Sequence, residues 1–145
     1  MDKHYYERRD GYTIERAENR GITINQLLFV VQEMEVLYNH DKELWMKKGK
    51  KIEEVTINDI FENIIKPRTK EKKASYVEIV ASEEQRPSWC VCFIWAQPLK
   101  DMVDVLLKHS KDRDMRDSDS YWINVSYFNN CSSYETHFLI VFYFS

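Results

Sequence analysis

The chain has few of the residues that make bends and staples: 3 Gly, 3 Pro and 3 Cys in 145 positions. So little Gly and Pro excludes low-complexity linkers and the turn chemistry of an all-β fold. Gly11, Gly21 and Gly49 all lie in the helical half, so no glycine-rich phosphate loop is present. Cys90, Cys92 and Cys131 are an odd number, and a Cys-x-Cys metal pair has no second pair to complete it. Cys90 and Cys92 fall on one face of a strand and read as reduced core thiols. The longest apolar run, Phe138 to Phe144, is far too short to span a bilayer. The polar start Met1-Asp-Lys-His-Tyr-Tyr-Glu-Arg-Arg lacks the apolar core of a signal peptide, so the expected compartment is the cytoplasm. Without secretion, the sequons at Asn124 and Asn130 carry no meaning. A strong excess of either charge is also absent. The net charge of -3 gives no footprint for binding a phosphate backbone, which removes nucleic acid from the expected partners.

What is present is a core. Apolar residues make up 43% and aromatics 14% of the chain, enough for one packed domain. The character changes near Lys73, from helical and charged to strand-rich and aromatic. Residues 1–22 read as a polar arm, with a short helix over Thr13 to Asn19 stopped by Gly21. Residues 23–73 read as a helical subdomain. Its first helix starts at Thr23, whose hydroxyl and Gln26 have the capping-box form. Ile24, Leu27, Leu28, Val31, Met34, Leu37 and Tyr38 recur at helical spacing, and Asn39-His40-Asp41 closes the element, with a continuation through Leu44-Trp45-Met46 left open. The run Lys47-Lys-Gly-Lys-Lys51 reads as a solvated turn. A second helix has Thr56 as N-cap with Asp59 at the third position and Ile57, Ile60, Phe61, Ile64 and Ile65 as its stripe. Pro67 is expected to end it.

Residues 74–145 read as the α/β part. Tyr76-Val-Glu-Ile-Val80 alternates like a short edge strand. Trp89 to Trp95 is nearly all apolar, as in a strand buried on both faces of a parallel sheet. Pro98 suits the first turn of a helix whose core face is Leu99, Met102, Val103, Leu106 and Leu107. Lys108, His109 and Lys111 favour that helix's C-terminal end. Tyr121 to Phe128 and His137 to Phe144 are further strands. Strand, helix and strand at this spacing form a βαβ unit with parallel pairing. The expected class is therefore α/β: a short, mostly parallel sheet preceded by helices.

Four stretches carry a resemblance to a known family: NIIKPRTKEKKASYVEIVA (63–81), RPSWCVCFIWAQPLKDMVDVLLKH (86–109), YWINVSYFNN (121–130) and THFLIVFYFS (136–145). In order and spacing they resemble a domain family of protist proteins. Its marks are a Lys-Pro-x-Thr helix exit, a Ser-Tyr/Phe-Val-Glu strand, a Ser-His-x-Trp-Gly-x-Pro junction and a Tyr-Trp strand ending in Asn-Asn-Gln. Its sheet is similar to Toll/interleukin-receptor (TIR) domains, with flavodoxin-like topology. The resemblance spans roughly residues 20 to 145. This chain departs from it at the junction, where Phe93-Ile94-Trp95-Ala96 replaces the His and the Gly, and at Asn129-Asn130-Cys131. In TIR-type enzymes that cleave NAD+, the catalytic glutamate lies on a helix after the third strand. This sequence stops at Ser145, so the resemblance implies a sheet incomplete at that end.

In open parallel sheets, ligands bind beyond the carboxyl ends of the strands. Trp95, Gln97, Asn129 and Asn130 belong to that rim, with Asp101 one turn into the helix. A nucleotide could stack on Trp95 and bond the asparagines; alternatively, Trp95 packs over the helix start and the asparagines make a turn. Glu78 is the acidic residue within an expected strand, either a general acid or base or a solvent contact on an edge. His109 and His137 have no partner at a recognisable spacing, and no metal set or nucleophile elbow is legible. Two functions follow. One is a non-catalytic subunit of an intracellular assembly, cytoskeletal or ciliary for example, binding other proteins through its helices and through an exposed sheet edge carrying Phe138, Phe142, Tyr143 and Phe144. It needs no cofactor. The other is a TIR-like NAD+ glycohydrolase or nucleotide-binding domain completed by a partner chain, with NAD as cofactor.

Overall fold

A computed structural model describes residues 11–126 and 137–138. Strand β1 (Ile22–Thr23) runs directly into helix α1 (Ile24–His40). The hand-over is the capping box expected there: Gln26 N donates to Thr23 Oγ1 at 3.3 Å, and Thr23 N donates to Gln26 Oε1 at 3.0 Å. The buried face of α1 is Leu27, Val30, Glu33, Met34 and Tyr38, so Val30 and Glu33 join the expected stripe. Glu33 is tolerated there because Arg68 meets its carboxylate at 2.6 Å. Asp41 breaks the helix, and a short α2 (Lys42–Lys47) follows, burying Trp45 against Tyr38 with ring centroids 6.1 Å apart.

A second helical run covers residues 57–72 in three parts. These are α3 (Ile57–Ile60), a π-helical turn (Phe61–Ile65) and α4 (Lys66–Lys72). Pro67 does not end the helix as expected. In the wider turn before it, Lys66 N donates five residues back to Phe61 O, so the proline falls at the start of a new α-helical segment, where its lack of an N–H costs little. The run stops at Lys73, in the left-handed region at φ 51°.

Tyr76-Val-Glu-Ile-Val80 is a helix, α5 (Tyr76–Val80), and not the edge strand that its alternation suggests. The reason is local. Ser75 caps the element: Glu78 N donates to Ser75 Oγ at 3.3 Å while Glu78 Oε2 accepts from Ser75 N at 2.8 Å. This is the same Ser/Thr-x-x-Glu/Gln device as at Thr23. All five residues are buried, so period-two alternation has no face to report on.

Strand β2 (Trp89–Ile94), helix α6 (Leu99–Asp112) and β3 (Ser120–Ser126) form the βαβ unit, with β2 and β3 parallel from Trp89↔Tyr121 to Ile94↔Ser126. Thus the chain is α/β, but the sheet is mixed rather than mostly parallel. β1 pairs antiparallel with β3 at Ile22↔Tyr121, and β4 (His137–Phe138) pairs antiparallel with β3 at Asn124↔Phe138. Among the described strands β3 is central, because the other three hydrogen-bond to it.

One face of the sheet is core: Phe93, Tyr121, Ile123 and Val125 are buried with Leu99, Met102, Val103 and Leu106 of α6. The opposite face is not covered by the described elements. Cys90 and Cys92 are exposed there, with Ile94, Trp122 and Asn124 half-buried. β2 is therefore not buried on both faces, since its one crossover helix shields a single side. Nor are its cysteines core thiols: Cys90 is an exposed free thiol and Cys92 is disulfide-bonded.

Residues 11–21 are drawn onto this body. Ile14 is 0% exposed, and one hydrophobic cluster joins it to residues from both halves of the chain, from Leu27 to Val125. Gly21 sits where a side chain has no room: a Cβ there would lie 2.3 Å from Ser120 Oγ and 2.8 Å from Gln85 O. The close approach lets Gly21 N donate to Gln85 O at 2.7 Å and Gln85 Nε2 donate to Gly21 O at 2.7 Å. Gly21→Ala is expected to destabilise the protein by about 1–3 kcal/mol, the usual cost of overpacking, as read from the midpoint of urea unfolding.

Candidate functional site

The rim beyond the carboxyl end of β2 is made by the turn 95–98. Gln97 N closes it by donating to Ile94 O at 3.1 Å. Its outward carbonyls meet the start of α3. Asn58 N donates to Trp95 O at 3.1 Å and Ile57 N to Gln97 O at 2.9 Å, while Leu99 N returns a bond to Val55 O at 2.9 Å. The next N–H of α3, that of Asp59, goes to Thr56 Oγ1 at 3.2 Å, and Ile60 N reaches Thr56 O at 3.1 Å. Every donor of the first turn of α3 therefore has a protein acceptor, although such a turn ordinarily leaves N–H groups open to an anion. Trp95 is 5% exposed and presents its ring edge-to-face to Phe61, with centroids 5.0 Å apart. It is packed into the core and offers no stacking surface. Gln97 is half-buried and takes part through its backbone. Asp101 is exposed in the first turn of α6, where a carboxylate favours the helix dipole. Asn129 and Asn130 lie outside the described residues, as do Phe142, Tyr143 and Phe144. Phe138 is placed as the partner of Asn124 in β4.

Asp59 fastens the same junction from below. Its Oδ2 accepts from Thr56 N at 3.0 Å and pairs with Lys50, a member of the basic run read as a solvated turn. Burial opposes the charge on Asp59, but the hydrogen bonds from Lys50 and Thr56 outweigh it and hold the carboxyl below its ordinary range. A carboxylate depressed in the folded state contributes stability above its unfolded pKa of about 3.9 and loses it as pH falls through the folded value. Asp59→Asn should thus cost about 1 kcal/mol at pH 7, as for loss of a helix cap, with the gap to wild type closing below about pH 4 in denaturation curves.

Glu78 is the second polar centre. It is 6% exposed and holds four groups. Oε1 accepts from Ile14 N at 3.0 Å and from an Arg20 terminal nitrogen at 3.3 Å; Oε2 accepts from Ser75 N and Ser75 Oγ, both at 2.8 Å. Arg20 also donates through Nε and that terminal nitrogen to Ile14 O, at 3.0 and 2.6 Å, and Tyr12 N donates to Glu78 O at 2.9 Å. The carboxylate is thus neither solvent-exposed on a strand edge nor open to a substrate: it clasps the 11–20 segment onto α5. Glu78→Gln should lower stability by about 3 kcal/mol or more, because Arg20 is left without its counter-charge in a mostly buried place; calorimetric unfolding would measure it.

The structure also joins residues that spacing alone did not connect. His109 Nδ1 lies 2.9 Å from the Tyr121 hydroxyl, which in turn donates to Leu106 O at 3.3 Å. The His109 ring meets Trp89 edge-on at 4.7 Å, and Arg113 lies over the same indole at 5.3 Å. Burial pushes the Tyr121 phenol up. His109 and Tyr121 share no local motif, since the helix-to-strand crossover brings them together. An open groove of about 620 Å³ is bordered by Arg16, Glu18, Asn19, Glu84, Arg86 and Pro87. It is polar, carries both signs of charge, and has none of the expected site residues on its walls. Among the described residues, no cluster of three or more His, Cys, Asp or Glu side chains is arranged to hold a metal. None of the described helices is long and apolar enough to cross a membrane. No family model, curated protein or solved structure matches the chain.

Proposed function

We propose that this protein is a non-catalytic interaction subunit of a larger protein assembly, built on a degenerate TIR-like sheet. The observation that carries the reading is the filled rim. The acceptors at the end of β2 and the donors at the start of α3 satisfy each other, and Trp95 packs against Phe61. A nucleotide entering there would have to displace backbone hydrogen bonds and a buried indole. The residues that replace the family's His and Gly fit the same role, since Phe93 is 8% exposed within the core face. Glu78, the carboxylate considered for an acid–base role, sits in helix α5 and is held by Ile14, Arg20 and Ser75. Support for the TIR-like reading is the parallel β2–α6–β3 unit, and the setting we assign is cytoplasmic, in a cytoskeletal or ciliary complex. Partners are other proteins, meeting the helices and the sheet edge at β4.

The alternative, NAD+ cleavage with a partner's glutamate, is tested on the pure protein and on the protein captured with its cellular partners. Incubation with NAD+ should release no nicotinamide above the buffer rate, and titration calorimetry should show no heat of NAD+ binding. Turnover in either sample that Glu78→Ala abolishes, with folding retained by circular dichroism, would overturn the proposal.

A further inference from the structure

We infer that the basic loop at residues 42–51 is a docking surface for an anionic lipid membrane, touched peripherally through exposed lysines and two apolar side chains. This goes beyond the protein partners proposed above and does not depend on them. The segment holds five lysines, Lys42, Lys47, Lys48, Lys50 and Lys51, against one carboxylate, Glu43, in a chain whose net charge is -3. Positive charge is therefore gathered at one place on an otherwise acidic molecule. Lys50 is taken up within the fold by Asp59. Among the described residues no ion pair engages Lys42, Lys47, Lys48 or Lys51, and all four are exposed.

Two inward residues anchor the loop. Trp45 is buried against Tyr38, whose hydroxyl donates to Lys50 O at 3.2 Å, and Lys50 N donates to Trp45 O at 3.0 Å. Between these anchors Met46 is 63% exposed, and a Cβ on Gly49 would meet nothing within 4 Å. Leu44, just before Trp45, is 44% exposed. Favourable charge at the end of α2 accounts for Lys47 and Lys48, but not for the apolar side chains left in water beside them. Exposed lysines around exposed Leu and Met suit an anionic bilayer, where the ammonium groups meet the headgroups and the apolar chains enter the interface. Acidic peptides are ordinarily held in a groove or along a strand edge, whereas these residues stand on a helix end and a turn. The loop's one aromatic, Trp45, is buried and offers no base a stacking platform. The acidic remainder of the chain is repelled by the same lipids, so charge alone orients the protein with this loop against the surface.

The test is co-sedimentation of the full chain with vesicles of phosphatidylcholine alone, or with about 30% phosphatidylserine added, at low salt. The protein should pellet only with the anionic vesicles and should be released in about 0.5 M salt. Lys47→Gln combined with Lys48→Gln should lower the partition coefficient about twentyfold, near fivefold for each lysine. Met46→Ser, which leaves the charge unchanged, should lower it on the order of fivefold. Both changes are at exposed positions, and circular dichroism checks that the fold is kept. If the lysine variant fails to fold, the salt dependence and Met46→Ser decide. A protein that stays in the supernatant with anionic vesicles overturns the inference, as does pelleting that the lysine variant leaves unchanged. Capture by soluble polyglutamate as tight as by vesicles, with Met46→Ser without effect, overturns it too, assigning the loop to an acidic polypeptide. None of these outcomes bears on the filled rim, which the NAD+ experiment tests separately.

Discussion

The hydrogen-bonded seam between residues 55–58 and 95–99 is the constraint on which the rest of the structure depends. A helix start and a strand end each leave backbone groups without internal partners, and Val55, Ile57, Trp95 and Leu99 are buried here. Each supplies what the other lacks: Ile57 and Asn58 donate to Gln97 O and Trp95 O, and Leu99 donates back to Val55 O. Leaving such groups unpaired in the interior would cost roughly 1–3 kcal/mol apiece, comparable with a large part of a domain's net stability. The seam therefore fixes where the helical half meets the sheet. In doing so it fills the place where many α/β proteins hold a ligand.

The two other polar centres have a similar logic. Glu78 satisfies Ile14 N, Arg20 and Ser75 with one carboxylate, and the Gly21–Gln85–Gln26 network ties the start of β1 to the loop before β2. Both bring residues 11–26 onto residues 75–85. Buried charge with a full set of partners specifies position more than it adds net stability. A carboxylate so occupied has no lone pair directed at a substrate. Among the described residues, Glu78 and Asp59 are therefore spent on assembly of the fold.

Some of this was legible in the residues. The Thr23/Gln26 and Thr56/Asp59 boxes mark both helix starts, and both form. The βαβ unit follows from an apolar strand, Pro98 and an amphipathic helix. At Tyr76–Val80 the pattern misled, because a fully buried five-residue element shows no periodicity, while the Ser75-x-x-Glu78 box was the better signal. At Pro67 the steric rule was sound, but a π-helical turn one step earlier absorbed the proline. The site residues fared unevenly. Trp95, Gln97 and Asp101 do fall at the strand end, yet nothing in their spacing told of α3, about forty residues earlier, arriving to cover it. The clasp on Glu78 was equally hidden, since its partners Ile14 and Arg20 are some sixty residues away.

The sequence by itself determined the α/β class of the fold, the two capped helix starts at Thr23 and Thr56 and a net charge of only -3, because capping boxes, apolar periodicity and net charge are local or additive properties. Only the tertiary structure decided which of the described strands is central, that the described elements cover one face of the sheet, and that α3 meets the end of β2. Those are outcomes of packing between distant segments: whether a carbonyl faces a ligand or another helix depends on what else must be satisfied nearby.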